Sequence, residues 1–291
     1  MIRKINQVFN FMSIRRNFFK VYDKINSIGD EPFVMPFWDN VNKQVLNEFK
    51  PVPPVDFLSC RALIDTMFVV GDQKWLDTQI NYLKKHLGVK YKKMIKEDSI
   101  GSPKIIDNIG TSHNTIHHIY HLLFFNEKTG VSFSKINTVI EWGGGYGNMA
   151  KLWKKHFNKE STYIIIDTSL FCSIQWLYLS SVLGKNNIHL LSSRNCKIRK
   201  GAINLVPIAL LDELNIKGDL FVSTWGLSES KKEAQDFVMS KKWFGCKNIL
   251  IGFQDSTPEL KHASRLGKLA KNDGAKIINI EFIPNNHYAL K

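Results

Sequence analysis

The chain has 291 residues, of which 44% are hydrophobic and 23% charged, and this size suits one large domain or two small ones. Forty Lys and Arg against 26 Asp and Glu give a net charge of +14, which favours anionic partners such as nucleic acid, phosphate-bearing substrates or an acidic membrane surface. Four scattered cysteines without a C-x-x-C pair argue against a disulfide scaffold or a cysteine zinc site. No apolar stretch approaches the ~20 residues that cross a bilayer. We therefore expect a cytoplasmic protein.

The first 22 residues carry five basic side chains and no acidic one, interleaved with four phenylalanines. Polar Asn6, Gln7 and Asn10 interrupt the apolar centre that a secretory signal requires. Three interpretations stay open: a packed or surface helix, reversible attachment to anionic lipid at the inner membrane face, and a transit sequence.

Residues 1 to 100 show helical spacing, interrupted by Pro51, Pro53 and Pro54. The periodicity predicts one amphipathic helix from Asp72 to Leu87. Six lysines then occur before the next acid; a solvated helix face is their simplest explanation. They are Lys84, Lys85, Lys90, Lys92, Lys93 and Lys96. We predict an α-helical N-terminal region over 1–100 that acts as a substrate cap, followed by a second domain over 101–291.

The second domain alternates short β-branched runs with helical segments, which predicts an α/β fold with a parallel sheet. The last two runs are joined by a four-residue turn, too short for a crossover helix, so they should form an antiparallel hairpin. A doubly wound, seven-stranded, mostly parallel sheet with this hairpin is the Rossmann-like layout of class I methyltransferases. The predicted strands are Thr138–Glu141, Tyr163–Asp167, Ile188–Leu191, Leu220–Ser223, Ile249–Phe253, Lys276–Phe282 and His287–Leu290.

A glycine-rich loop follows the first strand of this domain and runs from Trp142 to Gly147. Such a loop lies at the carboxyl edge of the sheet, where its backbone can approach a cofactor. The glycines alone suit either S-adenosylmethionine or NAD. Glu141 favours S-adenosylmethionine, because a carboxylate suits the positively charged methionine end and would repel a pyrophosphate.

Asp167 ends the second strand and is placed to bind ribose hydroxyls, although it could also begin the next helix together with Thr168. Many methyltransferases carry an acid after the third strand for the adenine amino group. This sequence has none there, so we expect the adenine contact to come from backbone or from Asn195. The predicted cofactor-binding residues are Glu141, Gly143, Gly145, Tyr146, Gly147, Asp167, Thr168, Asn195 and Thr224.

Four segments together resemble a family of sugar O-methyltransferases. They are E-W-G-G-G-Y-G-N-M-A at 141–150, Y-I-I-I-D at 163–167, D-L-F-V-S-T-W-G-L-S-E at 219–229 and N-H-Y-A-L at 286–290. The resemblance runs from about residue 102 to the end of the sequence. It implies a class I fold, S-adenosyl-L-methionine as cofactor, and methylation of a sugar hydroxyl in the synthesis of cell-surface or secreted polysaccharide. The acceptor could be nucleotide-linked, lipid-linked or polymeric.

Methyl transfer to a weakly acidic hydroxyl benefits from a general base. Glu229 is the only carboxylate near the end of the fourth strand. The alternative is the histidine-rich segment 113–121, where His113 and His117 share one helix face and His118 points elsewhere. The same spacing suits a metal, but no third ligand is visible, so we predict a metal-independent enzyme.

Four residues are candidates for contact with the acceptor: Trp225, Ser228, His287 and Tyr288. Two other functions remain open. An RNA methyltransferase would explain the positive charge, although no RNA-binding module or nucleic-acid methylase motif supports it. A non-catalytic protein that binds S-adenosylmethionine would explain the glycine loop.

Overall fold

Six α-helices form the first hundred residues in the computed structural model, which describes residues 2–29, 31–68 and 71–291, with side chains from residue 7 onward. Asp72 caps the fifth helix by accepting a hydrogen bond from the Trp75 amide, and this helix confirms the predicted amphipathic segment. The side chains of Arg3 and Lys4 lie outside the described part. The helices are α1 (Ile2–Arg16), α2 (Phe18–Asn26), α3 (Pro36–Phe49), α4 (Arg61–Met67), α5 (Gln73–Leu87) and α6 (Tyr91–Met94).

The N-terminal helices pack directly against the second half of the chain. Helices α1 and α2 contact a later helix, Ser169–Leu183, and bury Phe11, Ile14, Phe18 and Ile25. The described part of the basic N-terminal segment is therefore a packed helix. The six lysines of segment 84–96 are all exposed. The domain boundary at residue 100 stays a prediction.

The second half contains a small antiparallel pair, β1 (Ile105–Ile106) with β2 (Thr111–Ser112), and one large sheet. Strand β10 runs antiparallel to both its neighbours, whereas the other pairs of the large sheet are parallel. The spatial order is β5-β6-β4-β3-β7-β8-β10-β9. The predicted fold class, including the terminal hairpin, is confirmed. The strands are β3 (Thr138–Trp142), β4 (Thr162–Asp167), β5 (Ile188–Leu190), β6 (Ile203–Pro207), β7 (Leu220–Thr224), β8 (Asn248–Gln254), β9 (Lys276–Asn279) and β10 (Asn286–Leu290).

The sheet has eight strands in the described structure rather than the seven predicted, because β6 was missed. This strand has five residues, contains Asn204 and ends at Pro207, so its sequence gives only a weak strand signal. Pairing with β4 on one side and β5 on the other makes it a fully buried strand. The strand next to β4 is therefore β6, and β5 lies at the edge of the sheet.

Helices cover both faces of the sheet, and successive strand residues point to opposite cores. In β3, for example, Val139 joins the core under the N-terminal helices, and Ile140 joins the core on the opposite face. No described helix is long and apolar enough to cross a membrane. The helices of this half are α7 (His113–Thr129), α8 (Asn148–Leu152, continued by a π-helical turn at Trp153–Phe157), α9 (Ser169–Leu183), α10 (Lys232–Ser240) and α11 (Arg265–Asn272).

A buried ion pair fixes the start of α7 against α8. The Glu97 carboxylate lies 2.8 Å from the Lys151 ammonium and also accepts hydrogen bonds from Ser112 and Thr115. Burial alone would raise the pKa of Glu97, but the charge of Lys151 and these hydrogen bonds lower it to about 2. Because Ser112 caps α7, this network positions the histidine-rich segment.

Candidate active site

A cavity of about 290 Å³ lies at the carboxyl edge of strands β3, β4 and β7, where open α/β sheets bind ligands. The glycine loop, the start of α7, the segment after β7 and the N-terminal region form its walls. The chemically informative lining residues are Asn114, His117, His118, Glu141, Gly143, Gly144, Gly145, Tyr146, Asp167, Thr168, Thr224, Trp225 and Glu229.

The glycine loop can adopt its path only with glycine at particular positions. Gly143 has φ +76°, and a Cβ atom there would lie 2.9 Å from the Gly226 Cα. Gly145 also has a positive φ, +53°. Both line the cavity. Gly147 instead caps α8 at φ +92° and is not among the lining residues of the described structure. The loop therefore brings bare backbone to the cavity wall.

Asp167 organises the loop as well as facing the cavity. Its carboxylate accepts hydrogen bonds from the backbone amides of Gly144 (3.0 Å) and Thr168 (2.9 Å) and from Gln175 Nε2 (2.8 Å). Burial raises the pKa of Asp167 to about 7, and these hydrogen bonds oppose the increase. Thr168, rather than Asp167, caps α9, so the helix-start role belongs to Thr168 and the ribose contact of Asp167 stays a prediction.

Two further carboxylates face the cavity. Burial raises the pKa of Glu141 to about 8, with a further contribution from the charge of Asp167. Burial also raises the pKa of Glu229. No lysine or arginine is among the described residues that line the cavity. A cation bound in this site would therefore favour the charged forms of these carboxyl groups, although the whole chain is strongly basic.

Only two of the α7 histidines line the cavity in the described structure, His117 and His118. His113 is buried beside Trp75 with a ring separation of 5.2 Å, away from the lining. The sequence predicted that His118 points away from the site formed by His113 and His117. This prediction is wrong, because the first turns of α7 are buried on nearly all sides and both His117 and His118 line the cavity. Burial lowers the pKa of His113 and of His118 to about 4 and that of His117 well below its usual value.

Of the four residues assigned to the acceptor, Trp225 is the one that lines the described cavity. Its indole packs on Gly252 and stacks with His117 at 5.6 Å, so much of the ring already contacts protein. Ser228 bonds to Gln254, and Tyr288 bonds to His121 Nδ1. His287 contacts Asn279 and Asp255. These contacts hold the three side chains away from the described lining.

The assignment of Asn195 to adenine loses its basis, since it assumed that β5 lies next to β4. The residue that follows β6, Ile208, lines the cavity instead. Asn195 lies with Arg194, Cys196 and Glu213 around a second, separate pocket. Tyr146 and Thr224 line the cavity as the assignment requires.

The N-terminal region supplies part of the wall that sequence reasoning missed. Phe33, Trp38 and Phe68 line the cavity, and Phe68 stacks on Tyr146 with ring centres 5.3 Å apart. These residues are recognisable as aromatic in the sequence. They lie far from the glycine loop along the chain, however, so the sequence does not predict that they line the same cavity. Asn114 was missed as well; it precedes His118 by one helical turn.

Among the described residues, no group of three or more His, Cys, Asp or Glu side chains is arranged to hold a metal ion. The four cysteines are all free thiols.

No protein-family model and no curated protein matches the chain. Solved structures similar to it include a SAM-dependent methyltransferase from Leishmania major, with 11% identity, 76% of this chain and 85% of that chain covered, and a TM-score of 0.41. An O-methyltransferase family protein from Burkholderia thailandensis has 12% identity, covers 79% and 76%, and gives a TM-score of 0.40. Fibrillarin from Aeropyrum pernix, with natively bound S-adenosyl-L-methionine, has 12% identity, covers 58% and 73%, and gives a TM-score of 0.37. Likeness at this level assigns no activity to the present chain.

Proposed function

We propose that the protein is an S-adenosylmethionine-dependent O-methyltransferase that acts on a sugar hydroxyl. The carboxyl groups of the cavity carry the proposal: Glu141, Asp167 and Glu229 line it, without lysine or arginine among the described lining residues, and a bound cation would stabilise their charged forms. S-adenosylmethionine brings a sulfonium and an ammonium, both cationic, whereas the pyrophosphate of NAD is anionic. The cavity therefore favours the former.

The residues present fit this cofactor. Gly143 and Gly145 place backbone without side chains in the cavity wall, and we assign the methionine end of the cofactor to the Glu141 carboxylate. We assign the ribose to Asp167 and Thr168, which both line the cavity. Phe33, Trp38 and Phe68 offer flat apolar surface for the adenine ring.

When bound, the cofactor supplies an electrophilic methyl group: a C–O bond forms as the C–S bond breaks, and its electron pair remains on sulfur. The chain has to align the acceptor oxygen and remove its proton. Glu229 suits the second task, because it lines the cavity as a carboxylate whose burial raises its pKa and thus its basicity.

The sugar acceptor rests on the resemblance of segments 141–150, 163–167 and 219–229, and on a wall that combines aromatic rings with polar side chains. Such walls suit sugars, which present both apolar faces and hydroxyls. We assign the reaction to the synthesis of cell-surface or secreted glycan.

Calorimetry with S-adenosylhomocysteine, S-adenosylmethionine and NAD tests the cofactor. We expect both adenosyl-sulfur ligands to bind and NAD to bind far more weakly. Tighter binding of NAD would refute the proposal. Asn195→Ala is the matched control, since Asn195 lies at the second pocket and its loss should leave affinity unchanged.

Transfer of an isotope-labelled methyl group to neutral methyl glycosides and to glycan extracts tests the reaction. We expect base-stable label on sugar. Labelling of RNA and not of any glycan would favour the alternative methyltransferase, and binding without transfer to either would favour a non-catalytic protein.

A further inference from the structure

The side chain of Gln79 makes a buried contact with His117 across two helices. Gln79, on α5, is fully buried, and its Nε2 lies 2.6 Å from His117 Nδ1 on α7. Thirty-eight residues separate the two in the sequence. Within the described chain, this contact is the hydrogen bond that fixes the orientation of the His117 ring.

The direction of this bond determines where the imidazole proton lies. An amide nitrogen can only donate, so Nδ1 must accept from Gln79. A neutral imidazole that accepts at Nδ1 carries its proton on Nε2. His117 lines the cavity, and Nε2 is the ring nitrogen left for a bound molecule. The ring can therefore donate a hydrogen bond to an acceptor oxygen but cannot take a proton at Nε2.

The surroundings of His117 also oppose a second proton. The titratable groups that act on the ring are His113, His118 and His121 of the same helix, and each disfavours positive charge. The other elements packed against it contribute Trp75 from α5 and Trp225 from the segment after β7, both uncharged. The carboxylates that line the same cavity, Glu141, Asp167 and Glu229, make no ion pair with His117 in the described structure, so a doubly protonated ring would be a buried, unpaired cation.

We propose that Gln79 is a positioning residue that holds His117 as the Nε2–H tautomer, so that His117 donates to the acceptor oxygen and Glu229 takes the proton. This inference rests on the proposed O-methyltransferase function. The acceptor hydroxyl gives its hydrogen to a Glu229 oxygen as the C–O bond forms, and its oxygen accepts the His117 N–H through a remaining lone pair.

Long-range ¹H–¹⁵N correlation spectra of the full chain, labelled with ¹⁵N-histidine and free of cofactor, test the tautomer. His117→Gln identifies the His117 signals by their loss. In the native protein at neutral pH we expect protonated Nε2 and unprotonated Nδ1. A protonated Nδ1 in His117 would mean that the amide oxygen faces the ring, and it would overturn the proposal.

Two substitutions of Gln79 separate positioning from packing. Gln79→Leu removes the donor, so His117 should lose its single tautomer. Gln79→Glu offers an acceptor in its place, so the proton should move to Nδ1 and the pKa of His117 should rise. The matched control is Asn148→Leu, which removes the donor to His118 Nδ1 at 3.0 Å and should change His118 signals only. An unchanged His117 tautomer in both Gln79 variants would refute the role.

Turnover separates donation from base catalysis. The substitution His117→Gln keeps an amide donor but cannot accept a proton. We therefore expect the turnover rate to fall by no more than about tenfold from that of the native protein, whereas loss of a general base typically costs ~10²- to 10⁴-fold. A loss in the latter range would overturn the assignment of the proton to Glu229. The spectra need neither cofactor nor acceptor, so failure of the proposed function is recognised separately, by calorimetry.

Discussion

The cavity and the 84–96 surface carry opposite charge on the same chain. The surface presents six exposed lysines around Val89, which is fully exposed. The cavity presents three carboxylates and, in the part of the chain that the structure describes, no lysine or arginine. The net charge of +14 therefore reflects the exposed surface of the protein and does not describe the cavity.

This contrast separates two kinds of binding. Exposed lysines act through long-range attraction that salt screens within about 10 Å at 0.1 M. Buried carboxylates act at short range in a poorly solvated site, where their charge is costly unless a cation pairs with it. A cationic cofactor relieves that cost, which an anionic one cannot do.

The largest expected effect is on the turnover rate, through a residue that lines the cavity. Glu229→Gln keeps size and hydrogen bonding but removes the base, so turnover should fall ~10²- to 10⁴-fold while cofactor affinity changes little. Because burial raises the pKa of Glu229, native activity should fall as pH drops through a value above 4.5. If a histidine were the base, the same limb would persist in Glu229→Gln. Steady-state rates across pH in both proteins decide, and full activity of the Gln variant would remove Glu229 from the mechanism.

Asp167→Ala should weaken cofactor binding by ~1.5 to 3 kcal/mol, as for loss of charge-assisted hydrogen bonds. The substitution should also affect folding, because the amides of Gly144 and Thr168 and the Gln175 side chain would lose their acceptor. The ligand-free protein should therefore also be destabilised, by ~1 to 3 kcal/mol.

Calorimetry and thermal unfolding measure the two effects. Gln175→Ala is the matched variant, since Gln175 supports Asp167 without lining the described cavity. Unchanged stability of ligand-free Asp167→Ala would show that its bonds to the loop contribute little.

The ligand-free protein should lose stability as pH rises above about 7, where the buried histidines are largely neutral in both the folded and the unfolded state. Folding raises the pKa of Asp167 from 3.8 to about 7 and that of Glu141 from 4.5 to about 8. The folded state therefore binds more protons than the unfolded state between those values, and its extra stability at low pH disappears as pH rises through the folded pKa values. Below about pH 6.5 the lowered pKa values of His113, His117 and His118 give the opposite slope, so the decline should be visible in thermal unfolding from about pH 7 to about pH 9, and S-adenosylmethionine should reduce it. The decline should be shallower in Glu141→Gln, which keeps Asp167, than in the native protein, and equal slopes in the two proteins would show that Glu141 does not contribute.

The smallest effect on the site should come from the surface. Replacing the six lysines of 84–96 by Gln should change cofactor affinity by less than ~0.5 kcal/mol. If the lysines contact RNA, the salt dependence of poly-uridine binding should weaken by ~0.7 in slope for each lysine removed. A large loss of cofactor affinity in this variant would contradict the separation of surface and cavity.

The sequence determined the sheet and the glycine loop because both depend on local patterns. Short β-branched runs, glycine spacing and a four-residue turn are signals contained within about ten residues, and they gave seven of the eight strands and the terminal hairpin. Glu141, Gly143, Gly145 and Asp167 followed, since a position at a strand end fixes a position at the sheet edge.

Only the tertiary structure decided the remaining features, each of which depends on contacts between distant segments. Strand β6 is a strand because β4 and β5 pair with it, and this moved Asn195 away from the cavity. Phe68 meets Tyr146 because the N-terminal helices pack on α9, and Gln79 meets His117 because α5 packs on α7. The pKa of Glu229 rises because folding removes water around it. Burial and strand pairing depend on residues that are far apart in the sequence, so a local sequence pattern does not predict them. These features could therefore be identified only in the folded structure.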